Sequence, residues 1–387
     1  VRILHTSDWH LGRSFHGASL HADQCAFVDW LVEVAEAEAV DLIVIAGDVY
    51  DRAVPPVESV QLWQSALERL SAIAAVLVTS GNHDSPTRLG FAGSLLGRAG
   101  VHLRTDIDSI DSPALITGSD GVTVAAYGIP YLEPDLHREA LGADRSHTAV
   151  LTAAMDRIRA DLVKRGDVRS LVAAHAFITG SGEPVVSESE RDLRVGGVGD
   201  APAPVFSGVD YVALGHLHGA QAVRAPGDMR VHYSGSPLAF SFSEESHIKS
   251  VTLIDLPASG DPRITTVTVP VGRPLVTLRG DLDALLADEQ LRAHAQSWVR
   301  VVLTDDRRPD HAMSRLRDVW PHAVDLRFET RSAATPQDSA SLTREVTDPV
   351  RVAESFVAHV TGTPARVEEA TALRESIEAV RIDEAAR

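Results

Sequence analysis

The sequence contains a single cysteine, Cys25, among 387 residues. That excludes an internal disulfide and fits a reducing cytoplasm. Cys25 lies in the stretch 21–39, where Phe27, Leu31, Val34 and Ala35 recur at helical spacing, so the thiol reads as buried and structural. No apolar run approaches the roughly 18–20 residues of a membrane helix, and the chain enters its first apolar run without a basic leader. A cytoplasmic location is expected. Val1 stands where a start methionine belongs, which is read as a GTG start, with a trimmed chain as the alternative. Positive charge is also scarce: 36 Lys and Arg against 54 Asp and Glu leave a net charge of −18. A polyanion gripped by charge alone would call for the opposite balance. Such a partner would have to be met by metal ions, by local basic clusters or by a second protein. No G-x-G-x-x-G follows the first strand, which argues against a dinucleotide fold. There is no internal repeat and no low-complexity tract.

What the chain does have is a set of short β-rich apolar runs, each ending in Asp, His or Asn. Asp8 and His10 follow the first run, and Gly47 and Asp48 follow the run 41–46. Gly81, Asn82, His83 and Asp84 follow the run 75–80. His175 ends the run from Ser170, and Gly215, His216 and His218 follow Tyr211 to Leu214. Such runs read as buried strands handing over to loops, and open α/β sheets gather their sites at the carboxyl ends of strands. A metal site is predicted there. No cysteine is among the ligands, so a structural zinc knot is not expected. Mixed imidazole, carboxylate and amide oxygen suits manganese, iron or zinc better than magnesium or calcium. Asp8, His10, Asp48, Asn82, His175, His216 and His218 are too many for one ion and fit two if one carboxylate bridges. Ion pairs of that kind clamp the oxygens of phosphoester hydrolysis. Taken singly, His175 could be a satisfied core histidine; within the set, the ligand reading prevails.

The strings DWH, GDVYD, GNHD and GHLH, in this order, resemble the calcineurin-like metallophosphoesterases. The fuller strings ILHTSDWHLGR, SESER (187–191), DYVALGHLH (210–218) and YSGSPLAFSFSE (233–244) narrow the resemblance to the SbcD-type subunits of bacterial SbcCD nucleases. It spans about residues 1–330, and the tail more weakly. It implies a two-sheet α/β metallophosphoesterase sandwich with a small α+β cap domain and C-terminal helices. It also implies a DNA exonuclease and hairpin endonuclease acting in repair and recombination, two divalent ions with manganese preferred, and ATP coupling through an SbcC-like SMC-type ATPase. The assembly implied is a homodimer within a heterotetramer on DNA, nucleoid-associated and without a membrane. By the same resemblance Asp8, His10 and His218 hold one ion, Asn82, His175 and His216 the other, and Asp48 bridges them. His83 then acts at the scissile phosphate, oriented by Asp84 through its other ring nitrogen. A plainer reading makes Asp84 a turn or cap residue before Ser85 and Pro86. Arg13, His16, Arg52 and Arg88 are candidate DNA contacts, with ordinary surface or salt-bridge roles as the alternative for each arginine. His5 and His102 fall outside the motifs and read as structural or surface histidines.

Along the chain, residues 1–270 form the nuclease domain: strands alternating with helices at 21–39 and 57–73, then mainly strands. The stretch 176–208, rich in Gly, Ser and Pro, is expected beside the site. The pattern restarts at Pro274, and residues 271–330 make the cap, with helices expected at 282–293 and 311–319. Residues 331–347 are a polar linker. Residues 348–387 are two amphipathic helices, read as the element that docks on the ATPase, with Phe356, Val357 and Val360 on one stripe and Leu373, Ile377 and Val380 on the other. Three other functions compete. A protein phosphatase is suggested by GDVYDR, though Ala53 stands where that motif has glycine. A cyclic-nucleotide phosphodiesterase would need neither cap nor tail. A scaffold with a vestigial site is disfavoured by the complete ligand set.

Overall fold

Leu42–Ala46 is apolar throughout, and every one of its residues is buried. A strand covered on both faces by other layers produces such a run. The computed structural model describes residues 1–182, 184–190, 200–225, 227 and 229–329, and in the tail 353–354, 356–358, 360, 363–364 and 366–385. The linker 331–347 and the start of the tail at 348–352 lie outside these residues, as does Arg191 of the SESER string.

The architecture is the expected two-sheet α/β sandwich. One six-stranded sheet has the order Arg263–Thr268, Ser250–Asp255, Arg2–Thr6, Leu42–Ala46, Ala75–Thr79, Val101–Arg104. Its last four strands are parallel, and the two from 250 and 263 are antiparallel. The second sheet has the order Gln221–Val223, Arg230–Tyr233, Tyr211–Gly215, Arg169–His175, Thr123–Ile129, Ala114–Thr117, with a parallel centre and antiparallel edges.

Alternation along each central strand sorts its residues into two layers. Ile3, Leu42, Val44 and Leu77 meet Ala126, Leu171, Ala173 and Tyr211 in the core between the sheets. Ile43 and Ile45 face the other way, packing with Phe27 and Leu31 of helix His21–Ala37 and with Trp63 and Leu70 of helix Val57–Ser71. The second sheet turns Tyr127, Val172 and Leu214 toward Val150, Met155 and Ile158 of helix His147–Arg165, which sequence reading had not singled out. Ser146 caps that helix, accepting from the Ala149 N–H at 3.0 Å.

By contact density the chain divides into two units. One holds Val1–Leu278, Glu289–Val301 and Leu316–Asp325; the other holds Arg279–Asp288, Val302–Arg315 and Leu326–Arg387. Strands Leu275–Gly280, Trp298–Leu303 and Ala323–Phe328 form a three-stranded sheet. The helix expected at 282–293 is interrupted. An α-helix over Leu282–Ala287 stops at Asp288, whose backbone is extended, and a 3₁₀ turn follows over Glu289–His294. Among the described residues no helix is long and apolar enough to cross a membrane.

The inter-sheet core also buries imidazole. His5 lies 3.2 Å from the Tyr211 hydroxyl and 3.1 Å from the Leu214 carbonyl. Burial, reinforced by His232, lowers His5 to about 3, and burial lowers His232 to about 4. Both rings are therefore neutral in the fold, whereas the unfolded chain takes up protons from about pH 6.5 downward. Stability should fall as pH drops from about 6.5 toward 4, by about 1.4 kcal/mol per pH unit for each histidine. Denaturant midpoints at pH 7 and pH 5 measure the loss. His232→Leu should flatten it, and an unchanged pH slope would show that His232 is not one of the groups responsible.

Candidate metal centre

The carboxyl ends of five parallel strands, three from the first sheet and two from the second, bring the motif residues to one place. The loop after Arg2–Thr6 is laced to the loop after Leu42–Ala46: the N–H groups of Asp8, His10 and Leu11 donate to the carbonyls of Gly47, Asp48 and Val49 at 2.9–3.1 Å. The carboxylate of buried Asp8 then takes the His216 N–H on both oxygens at 3.1 Å, tying the first sheet to the second. Asp48 accepts the His83 main-chain N–H at 2.8 Å on Oδ1 and turns Oδ2 toward His175 Nε2 at 3.5 Å and His10 Nε2 at 3.7 Å.

These loops approach each other too closely for side chains at two motif glycines. A Cβ on Gly81 would stand 2.1 Å from Asp48 Oδ1, and one on Gly215 only 1.8 Å from the Ala46 carbonyl oxygen. Several of the converging residues are themselves left-handed: Asp8 at φ 54°, His10 at 44°, Asp48 at 48° and His216 at 111°. Non-glycine residues adopt that region at a cost, and such positions collect at functional sites.

The donor atoms fit cations. His175 Nδ1–H donates to the Ala46 carbonyl at 3.0 Å, so in the neutral ring Nε2 is a lone pair. It faces another lone pair, Asn82 Oδ1, at 3.0 Å, and the Asp48 carboxylate beyond it. Three acceptors turned on one another are relieved by a positive ion. Asn82 Nδ2 and His10 Nδ1 are buried with no hydrogen-bond partner among the described residues, and His10 Nε2 lies 3.2 Å from His218 Nε2. Within 4.8 Å of one another lie ligand atoms of Asp8, His10 and His218; of His10, Asp48 and His83; and of Asp8, Asp48 and His175.

Burial lowers His10 and His216 well below the ordinary imidazole range and takes His218 to about 4, keeping lone pairs available. Burial, then the neighbouring Asp48 charge, raises Asp8 well above the usual carboxylate range. A cation between them would reverse that.

His83 is half-buried, with its ring 4.8 Å from the His10 ring. Its Nδ1–H donates to the Asp51 carbonyl at 2.8 Å. Asp84 does not do what the resemblance implied. Its carboxylate accepts the main-chain N–H groups of Val49, Tyr50 and Gly81 at 2.9–3.1 Å, while the His83 ring is held by Asp51. The reason is local: the bend at 82–84 carries the carboxylate back to the Gly81 N–H and to the main-chain donors that follow Asp48. Burial, then Asp48, raises Asp84 to about 6, against the pull of those N–H groups. The turn reading of Asp84 describes it better.

The four candidate DNA contacts separate. Arg13 is committed inside the protein, to Asp51 Oδ1 at 3.3 Å, to the Ser189 carbonyl at 3.0 Å and over the Phe240 ring. His16 is exposed against the rings of Phe15 and Phe242. Arg52 and Arg88 are exposed, Arg88 donating to the Ala53 carbonyl at 2.9 Å.

Residues that sequence reading did not place in the site gather behind His218. Glu190 Oε1 accepts the His218 N–H at 2.7 Å, Ser189 Oγ lies 2.6 Å from His218 Nδ1, and Glu244 and Lys249 lie just beyond. Ser189 and Glu190 belong to the Gly/Ser/Pro-rich stretch expected beside the site. They and Glu244 also fall in the SESER and SFSE strings, which were the available signal.

The calcineurin-like phosphoesterase profile matches residues 1–220. A second profile, described as the type 5 capsule protein repressor C-terminal domain, matches 271–361. The chain is 34% identical over 319 residues to the SbcD subunit of the SbcCD nuclease of Escherichia coli (strain K12), covering 79% of this chain and 78% of that protein. Two solved structures also align at 14% identity. TT1561 of Thermus thermophilus has a TM-score of 0.41 over 69% of this chain and 98% of that one. GAP50, the anchor in the inner membrane complex of Plasmodium, has a TM-score of 0.44 over 86% and 98%. Both are too distant to bear on function.

Proposed function

This chain belongs to the calcineurin-like phosphoesterases and, among them, to the SbcD-type nuclease subunits, and on that premise we propose a site that cuts DNA ends and hairpins with two manganese ions. The chain is a metal-dependent phosphodiester hydrolase. Asp8, His10 and His218 would hold one ion, Asn82, His175 and His216 the other, with Asp48 shared. When bound, the ions supply Lewis acidity, activating water and neutralising phosphoryl oxygens. The chain's own residues do the rest. Asp48 is fixed by the His83 N–H, so its second oxygen stays turned inward. The Asp51 carbonyl holds the His83 ring through Nδ1, so Nε2 is the nitrogen from which a protonated ring can donate to the leaving sugar oxygen. The observation that carries the reading is the convergence of His175 Nε2 on Asn82 Oδ1 at 3.0 Å and on Asp48 Oδ2 at 3.5 Å, with His175 Nδ1 already bonded to the Ala46 carbonyl.

The test offers linear duplex DNA, a phosphopeptide and cyclic AMP to the purified chain with manganese or with a chelator. Manganese-dependent cleavage of DNA alone is expected; preference for either other substrate would replace the nuclease reading. A net charge of −18 makes the ions and a partner the main sources of DNA affinity. The partner proposed is an SbcC-like ATPase, joined by a homodimer of this chain.

The tail is the proposed docking element for that ATPase. Phe356 and Val360 are 66% and 65% exposed, an apolar stripe of the kind that a helix groove covers. The position of the Val380 side chain lies outside the described residues. A chain ending at Thr347 is expected to fold, bind two ions and cut single-stranded DNA, but to lose co-purification with the ATPase and ATP stimulation on duplex ends. Phe356→Asp should mimic it, because a buried charge opposes docking. A truncated chain that unfolds, or that still binds the ATPase at full affinity, would place the tail with the body instead.

A further inference from the structure

Ser189, Glu244 and Lys249 surround His218 from behind. Lys249 Nζ donates to the His218 carbonyl at 3.0 Å, to Ser236 Oγ at 2.9 Å and to Glu244 Oε2 at 2.6 Å. Glu244 is buried, and its other oxygen, Oε1, accepts the Ser189 hydroxyl proton. It also accepts the Ser187 hydroxyl at 3.1 Å and lies 3.4 Å from His218 Nδ1. The ammonium therefore grips the main chain of His218 and the carboxylate reaches its ring.

The single proton of the Ser189 hydroxyl decides the rest. It is donated to Glu244 Oε1, so toward His218 Nδ1, at 2.6 Å, Ser189 Oγ offers only a lone pair. Nδ1 must then carry the hydrogen, and in the neutral ring Nε2 must be bare. Nε2 is the atom facing His10 Nε2 in the site. We infer that Ser189, Glu244 and Lys249 are positioning residues that hold His218 in the tautomer and orientation a metal ion needs. The inference rests on the reading of His218 as a ligand. Partners of this kind raise the basicity of a ligating histidine, and their loss typically weakens metal binding by about 10–100-fold.

The test is a manganese titration of the metal-free full-length chain, followed by calorimetry and by the spin-resonance signal of free manganese. Thermal melting of the metal-free protein reports on the fold. Ser189→Ala is expected to weaken one of the two ions about 10–100-fold and leave the other unchanged. Ser189→Thr, which keeps the hydroxyl, should restore it. Glu244→Gln should weaken the same ion, but it leaves Lys249 without its carboxylate and is expected to lower stability, so Ser189→Ala carries the decision. Unchanged affinity for both ions in Ser189→Ala, equal weakening of both, or failure of threonine to rescue would overturn the inference. Wild-type protein that takes up fewer than two ions would remove the ligand reading of the site, a result distinct from any of these.

Discussion

Asp48→Ala is expected to lower metal binding more than any other single change and to reduce hydrolysis to background, with the fold intact. The reason is position. Asp48 belongs to two of the donor groups, one with Asp8 and His175 and one with His10 and His83. Losing Asp8 or Asn82 strips one proposed ion of a ligand; losing Asp48 strips both and removes the charge that offsets their mutual repulsion. The sheets do not depend on it, since the loops on either side are joined through main-chain bonds such as His10 N–H to the Asp48 carbonyl at 3.0 Å. Metal analysis after dialysis, alongside a melting curve, measures this. Two ions per chain in the variant would show that Asp48 does not bridge.

His83→Ala should separate chemistry from metal binding. The bond that fixes Asp48 comes from the main-chain N–H of residue 83, and alanine keeps it. Both ions should therefore remain, while turnover on DNA falls by about 10²–10⁴-fold, the usual contribution of a general acid. A sugar alkoxide leaves poorly without a proton and a nitrophenolate leaves well, so hydrolysis of a nitrophenyl ester should suffer far less. Equal losses on the two substrates would assign His83 to stabilising phosphoryl charge. Near wild-type cleavage of DNA would remove it from the reaction.

The motif residues were legible in sequence because each sits at the end of a strand buried on both faces, and such strands write themselves as unbroken apolar runs. Which sheet each strand joins was not legible: Ala75–Thr79 and Tyr211–Gly215 look alike in sequence, but the chain passes to the second sheet between Val101–Arg104 and Ala114–Thr117 and returns to the first between Arg230–Tyr233 and Ser250–Asp255. At Asp84 the resemblance implied a partner for the His83 ring, beside the plainer turn or cap reading; the carboxylate accepts three main-chain N–H groups, and the ring is held by the carbonyl of Asp51. At Arg13 the sequence left a DNA contact and a salt-bridge role open, and the side chain is engaged by Asp51, Ser189 and Phe240. Glu244 was marked in sequence only as the end of the SFSE string, and its contact with Ser189 spans 55 residues with no local pattern to announce it.

The left-handed backbone at Asp8, His10, Asp48 and His216 has a consequence for anyone evolving this protein. Each of these conformations costs about 1–3 kcal/mol for a residue with a Cβ, and glycine adopts it freely. Replacing Asp48 with glycine would relieve that strain and also remove a buried carboxylate, so the metal-free chain should melt at a higher temperature while its activity disappears. Selection for thermal tolerance alone would then enrich dead enzymes, and a library screened for robustness needs a nuclease assay beside the heat step.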